Sequence, residues 1–133
     1  MCYLESNLKN KSGLNRAAAD VLLKSNYYPS VIHCSYYSCV QLMKHNLIFI
    51  IGKTESQLIE EQRKSNEGSH EVLINNTIIY LKSNNKDWKT FNTNINQLKK
   101  LRIESDYSNI NIDSDKGRKS LLLTDSVLKI LNK

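Results

Sequence analysis

Only four glycines and one proline interrupt 133 residues. A β-rich chain turns roughly every ten residues and builds those turns largely from Gly and Pro, so their scarcity selects long helices. The one proline, Pro29, suits the first turn of a helix, where its missing N–H has no intrahelical partner. Five segments carry helical signals. The first runs from Leu4 to Ser25, with Leu8, Ala18, Val21 and Leu22 toward the core and Lys9, Lys11, Arg16 and Lys24 outward. After "SNYYPS" a second helix over 30–51 carries Ile32, Tyr36, Cys39, Met43, Leu47 and Ile50 on one side and Val31, Cys34 and Leu42 near the other. A helix apolar over most of its circumference is either the centre of a bundle or shared with a second subunit.

The polar, alternately charged "KTESQLIEEQRKSNEG" reads as a mobile connection with a short helical piece from Glu55 to Arg63. Ser69 is the expected cap of a third helix over 70–83, striped by Leu73, Thr77, Tyr80 and Leu81. A fourth helix spans 86–104. Asp113 or Ser114 caps a fifth over 115–132, which places Leu121, Leu128 and Leu131 beside Leu123, Val127 and Ile130. The expectation is one all-α domain over residues 1–133, a bundle of about five helices.

With 19 Lys and Arg against 13 Asp and Glu, the formal charge is +6. That balance suits a polyanionic partner, and it also arises from Lys-rich solvated helix faces. Cys2, Cys34 and Cys39 are odd in number and lack CxxC spacing, so neither a disulfide framework nor a zinc site is expected. With no secretory signal ahead of them, reduced thiols in the cytoplasm are the default. The longest apolar run, "LIFII" at 47–51, is far too short to cross a bilayer. Gly-rich phosphate loops, paired catalytic carboxylates and nucleophile elbows do not occur, and no cofactor or metal is expected.

The fourth helix carries an anomaly. Trp88, Phe91, Ile95 and Leu98 form a stripe at the spacing of a buried face, and its next member is Arg102, with Asp106 and Tyr107 one turn further on. A guanidinium on a core stripe needs neutralising, and Asp106 at i+4 is the nearest carboxylate. Two readings fit these residues. Arg102, Asp106 and Tyr107 either tie the helix end to a neighbouring helix or subunit, or form a polar cluster that handles phosphate through the bidentate fork of arginine.

The order of the segments, "SYYSC" at 35–39 and "RIESDY" at 102–107, resembles the HEPN superfamily of small all-α prokaryotic domains. The branch in question carries a "YYA" signature on its second helix, "R..ADY" at the end of its fourth and often a His opening its third, here His70 in "SHEVL". The likeness spans roughly residues 14–131. It implies an RNA-binding protein or metal-independent ribonuclease of a toxin–antitoxin or defence system, acting as a homodimer whose Arg and His meet in a shared cleft. It also implies, as the alternative, a non-catalytic module that partners a minimal nucleotidyltransferase or an antitoxin. Arg102 matches the Arg of the ribonuclease motif, whereas Tyr107 stands where the His belongs. Tyrosine titrates near 10 and is a poor base at neutral pH.

His70 is the candidate to replace the missing base, while His33 and His45 sit on the crowded second helix. Tyr36 and Tyr37 point about 100° apart on a helix, so Tyr36 is expected in the core and Tyr37 at a polar edge. Lys99, Lys100, Lys116, Arg118 and Lys119 flank the Arg102 loop in sequence and are the candidate contacts to a nucleic-acid backbone.

Overall fold

The computed structural model describes residues 2–132, with side chains from residue 7 onward, so the side chain of Cys2 lies outside the described residues. Six helices follow one another: α1 (Cys2–Lys24), α2 (Tyr28–Phe49), α3 (Glu55–Lys64), α4 (Ser69–Ser83), α5 (Trp88–Tyr107) and α6 (Ser114–Leu131). No strand occurs among the described residues. The all-helical bundle expected from the scarcity of Gly and Pro is present, with six helices where about five were expected.

The turn between α1 and α2 shows why so few breakers suffice. Asn26 takes a left-handed φ of 65°, and the Tyr27 N–H reaches back to the Leu22 carbonyl at 2.9 Å while the Asn26 N–H reaches Leu23 at 3.1 Å. These nested bonds satisfy the orphan carbonyls at the end of α1, and asparagine tolerates that backbone better than most residues. Pro29 then falls in the first turn of α2.

Among the described side chains of α1 the buried ones are small, with Leu22 and Leu23 partly buried against the same cluster as Ala19. Ser12 and Ala19 are buried, and the Ser12 and Ser38 hydroxyls each donate to the other's carbonyl, at 2.7 and 2.8 Å. Two hydroxyls that satisfy themselves on backbone oxygens let α1 and α2 approach closely. Val21, expected in the core, is 64% exposed. Counting large apolar residues selects it, but the buried face runs through Ser12 and Ala19 instead.

The central position belongs to α2, which packs against α1, α4, α5 and α6. Tyr36, Cys39, Met43 and Leu47 are buried in the main core, and Val31 and Ile32 extend it on other sides. Its apolar circumference is therefore covered by helices of the same chain. Asn46, also buried, donates to the terminal Leu131 carbonyl of α6 at 3.0 Å.

The short helical piece expected from Glu55 to Arg63 is present as α3, and it is docked on the bundle where a mobile connection was expected. Thr54 and Gln57 form a reciprocal capping box at the start of α3, and Leu58 is buried under it. Lys53 reaches Glu61 at 2.6 Å, Asn76 of α4 donates to Glu61 at 3.0 Å, and Lys44 of α2 reaches Glu55 at 3.0 Å. One apolar anchor and several polar ones give a weak hydrophobic period, and that weakness hides the docking of the helix rather than its extent.

Gly68, not Ser69, holds the cap position of α4, with no side-chain cap bond. Asp87 caps α5 by accepting from the Thr90 N–H at 3.1 Å, and Asp113 caps α6 by accepting from the Lys116 N–H at 3.0 Å. No helix among the described residues is long and apolar enough to cross a membrane.

Candidate functional site

The stripe on α5 buries Phe91, Ile95 and Leu98 completely and brings Arg102, one turn later, against the first half of α2. Tyr36 and Tyr37 diverge as adjacent helical residues must. Tyr36 is fully buried, whereas Tyr37 is half-buried at the rim. The Arg102 Nη2 donates to Tyr37 Oη at 3.1 Å. Its Nε lies 3.1 Å from Asp106 Oδ2, in ion-pair contact but out of line for a hydrogen bond. The guanidinium carbon sits 5.5 Å from the Tyr36 ring centre and 5.6 Å from those of Tyr37 and Tyr107. Three aromatic rings and one carboxylate thus hold a cation whose side chain keeps 15% exposure.

His70 enters from the first turn of α4. Its Nδ1 is 3.0 Å from Tyr36 Oη, and its ring meets Tyr37 edge-on at 5.6 Å between centres. Burial lowers the His70 pKa, and the nearby Arg102 and Lys99 charges lower it further. An imidazole ordinarily titrates near 6.5, so a depressed one is neutral at pH 7 and can take up a proton. Burial raises the Tyr36 phenol, against an opposing effect of Arg102, so this hydroxyl keeps its proton. Lys99 and Glu71 close the α4–α5 side through a 2.5 Å ion pair.

A further histidine belongs to this cluster. His33, one turn before Tyr37 on α2, stacks obliquely on that ring at 4.7 Å between centres, and its Nδ1 lies 3.6 Å from Asp106 Oδ2. Sequence reasoning places it only on a crowded helix. The i, i+4 spacing from His33 to Tyr37 is the available signal, but the arrival of α5 is what supplies Asp106 as its partner. His45, by contrast, is buried away from the cluster beside Phe49.

Arg102, Asp106, Tyr107 and His70 are therefore gathered in one place, with Tyr107 at its outer edge, 73% exposed. The candidate basic residues are not gathered in the same way. Lys99 is engaged by Glu71 and Lys100 is exposed on α5. Lys116, Arg118 and Lys119 lie on the first turns of α6, where Arg118 reaches Ser114 and Asp115 at 3.3 Å. Among the described residues no contact joins these α6 cations to Arg102.

The two described cysteines, Cys34 and Cys39, are both made less reactive by burial, which raises their thiols. Cys39 is completely buried, and burial pushes its thiol up to about 12, where it is a poor nucleophile. No group of three or more His, Cys, Asp or Glu able to hold a metal occurs among the described residues. No protein-family model, curated protein or solved structure matches the chain.

Proposed function

We propose that this chain is a HEPN-like RNA-binding protein that cleaves RNA without a metal at the Arg102 cluster. The observation that carries the reading is the meeting of a cation and a neutral imidazole on one half-exposed phenol. Arg102 and His70 both contact Tyr37, and the His70 pKa is lowered. A phosphodiester needs a positive group for its non-bridging oxygens and a base for the attacking 2′-hydroxyl. Arg102 supplies the first and His70 the second, in place of the motif histidine that Tyr107 replaces. The base function uses the tautomer in which His70 Nδ1–H donates to Tyr36 Oη and Nε2 keeps its lone pair; with Tyr36 donating to Nδ1 instead, Nε2 carries the proton and the pair acts as a tether.

A homodimer that brings two such clusters together, in a toxin–antitoxin or defence setting, belongs to the same proposal. A single-stranded oligoribonucleotide incubated with the protein in excess chelator tests it. Cleavage by the wild type and its loss in His70→Gln support the reading; an intact oligonucleotide with the wild type counts against it.

One observation favours a second reading. Arg102 is largely enclosed by tyrosines and one carboxylate, as a tether between α2 and α5 would be. A non-catalytic module that pairs with a nucleotidyltransferase or an antitoxin would use the cluster in that way, and RNA affinity would then be indifferent to Arg102.

A further inference from the structure

Cleavage of an RNA phosphodiester needs two proton transfers, and His70 accounts for one of them. Proton removal from the 2′-hydroxyl starts the attack, but the departing 5′-oxygen leaves as a costly alkoxide unless a second group protonates it. Tyr107 does not offer an imidazole for that task. Another residue of the cluster does.

We infer that His33 is the general acid of this site and that Asp106 is its positioning residue, an inference that rests on the cleavage reading above. His33 and His70 come from different helices yet contact the same Tyr37 ring, at 4.7 and 5.6 Å between centres. The hydroxyl of that ring accepts from the Arg102 guanidinium. The two imidazoles thus flank the side chain that marks the anion position. The His33 side chain is 52% exposed, open to a substrate, and its Nδ1 faces Asp106 Oδ2 at 3.6 Å, so Nε2 is the atom left to face outward. The charged and titratable groups around it are Tyr37 on its own helix, Arg102 and Asp106 on α5, and His70 across the Tyr37 ring on α4.

The reaction balances with these groups alone. Neutral His70 Nε2 takes the 2′-hydroxyl proton as O2′ bonds to phosphorus. The P–O5′ bond breaks, its electron pair goes to O5′, and the His33 imidazolium donates a proton there. The products are a 2′,3′-cyclic phosphate and a free 5′-hydroxyl. Water then returns a proton to His33 and removes one from His70.

Two substrates separate an acid from a scaffold. An oligoribonucleotide has an alkoxide leaving group that needs protonation, whereas uridine 3′-(4-nitrophenyl phosphate) releases a phenolate that does not. Both are assayed in chelator with the full chain. His33→Gln is expected to slow RNA cleavage by about 100-fold or more and to change aryl-ester cleavage by less than about threefold. His70→Gln loses both substrates, and Asp106→Asn, which also removes the carboxylate beside Arg102, lowers cleavage of both but of RNA several-fold more than of the aryl ester. If His33→Gln cleaves RNA like the wild type, or loses both substrates alike, His33 is not the acid and His70 stands alone. If the wild type cleaves neither substrate, the cleavage reading falls first and takes this inference with it.

Discussion

Arg102 is surrounded by partners that hold it without neutralising it fully: three aromatic rings, one phenol oxygen and one carboxylate at 3.1 Å that is poorly aligned. A buried ion pair of that kind adds little net stability, yet removing one member strands the other at a cost of about 3–5 kcal/mol when both are fully buried. Here Asp106 keeps 24% side-chain exposure and water can replace its partner. Arg102→Ala is therefore expected to remain folded in a thermal melt, with a modestly lower midpoint. A chain that unfolds outright would make Arg102 a structural tether and support the interaction-module reading.

His70 makes a pH prediction with a defined sign. Its folded pKa is depressed by burial, then by Arg102 and Lys99, so the folded state binds fewer protons than the unfolded chain as pH falls. Its contribution to stability is fully present above the ordinary imidazole value near 6.5 and is lost as pH drops through the folded value. Thermal midpoints measured from pH 7.5 downward should fall in that window, and His70→Gln should flatten the fall. Glu61, lowered by Lys53 and Asn76, acts in a separate window below its ordinary carboxylate value. A pH dependence that His70→Gln leaves unchanged between 7.5 and about 5.5 would contradict the assignment.

At the scale of single elements, α3 and α2 make opposite predictions. The Thr54–Gln57 box supplies the start of a ten-residue helix that has one buried apolar anchor, Leu58. Thr54→Ala should cost about 1 kcal/mol and speed amide exchange in α3 before any other helix. Met43 is fully buried in the main core, so Met43→Glu places an unpaired carboxylate there and should collapse the thermal transition. A folded Met43→Glu protein that had changed only its oligomeric state would mean that α2 is an intersubunit surface after all.

The elements differ in how plainly the sequence announces them. The stripe from Phe91 to Leu98 and the Asp113 cap are legible because large apolar spacing and a cap residue are local signals. The α1 face is not, because Ser12 and Ala19 pack by being small, a property that hydrophobic counting ignores. The bounds of α3 are legible but its docking is hidden, because its ties are polar and run to Lys53, Lys44 and Asn76. At the site, Arg102, Asp106, Tyr107 and His70 are each visible as chemistry. His33 is not, since its carboxylate partner lies on a helix far along the chain.

For the whole molecule, charge and assembly matter more than any one contact. The formal charge of +6 should give single-stranded RNA binding that weakens steeply with salt, with a slope of about −0.7 in log–log form for each phosphate neutralised. The α6 cations do not touch the Arg102 cluster, so Lys116→Glu with Arg118→Glu tests a separate rim. If they bind RNA, the slope shrinks by about 0.7 for every phosphate that the double variant leaves unneutralised; an unchanged slope assigns them to solvent. The homodimer reading predicts a solution mass of twice 15.3 kDa by light scattering. Because α2 is covered by helices of its own chain, that dimer would have to use other surfaces.

The central claim is that Arg102 holds an RNA phosphate, and affinity with and without its guanidinium tests it most directly. Binding of a fluorescent single-stranded oligoribonucleotide is measured at low salt for the wild type and for Arg102→Gln, with both proteins checked for intact melting transitions. Removing one charge-assisted phosphate interaction should weaken binding by about tenfold or more. Equal affinity in two folded proteins would contradict the account and leave Arg102 as a tether between α2 and α5.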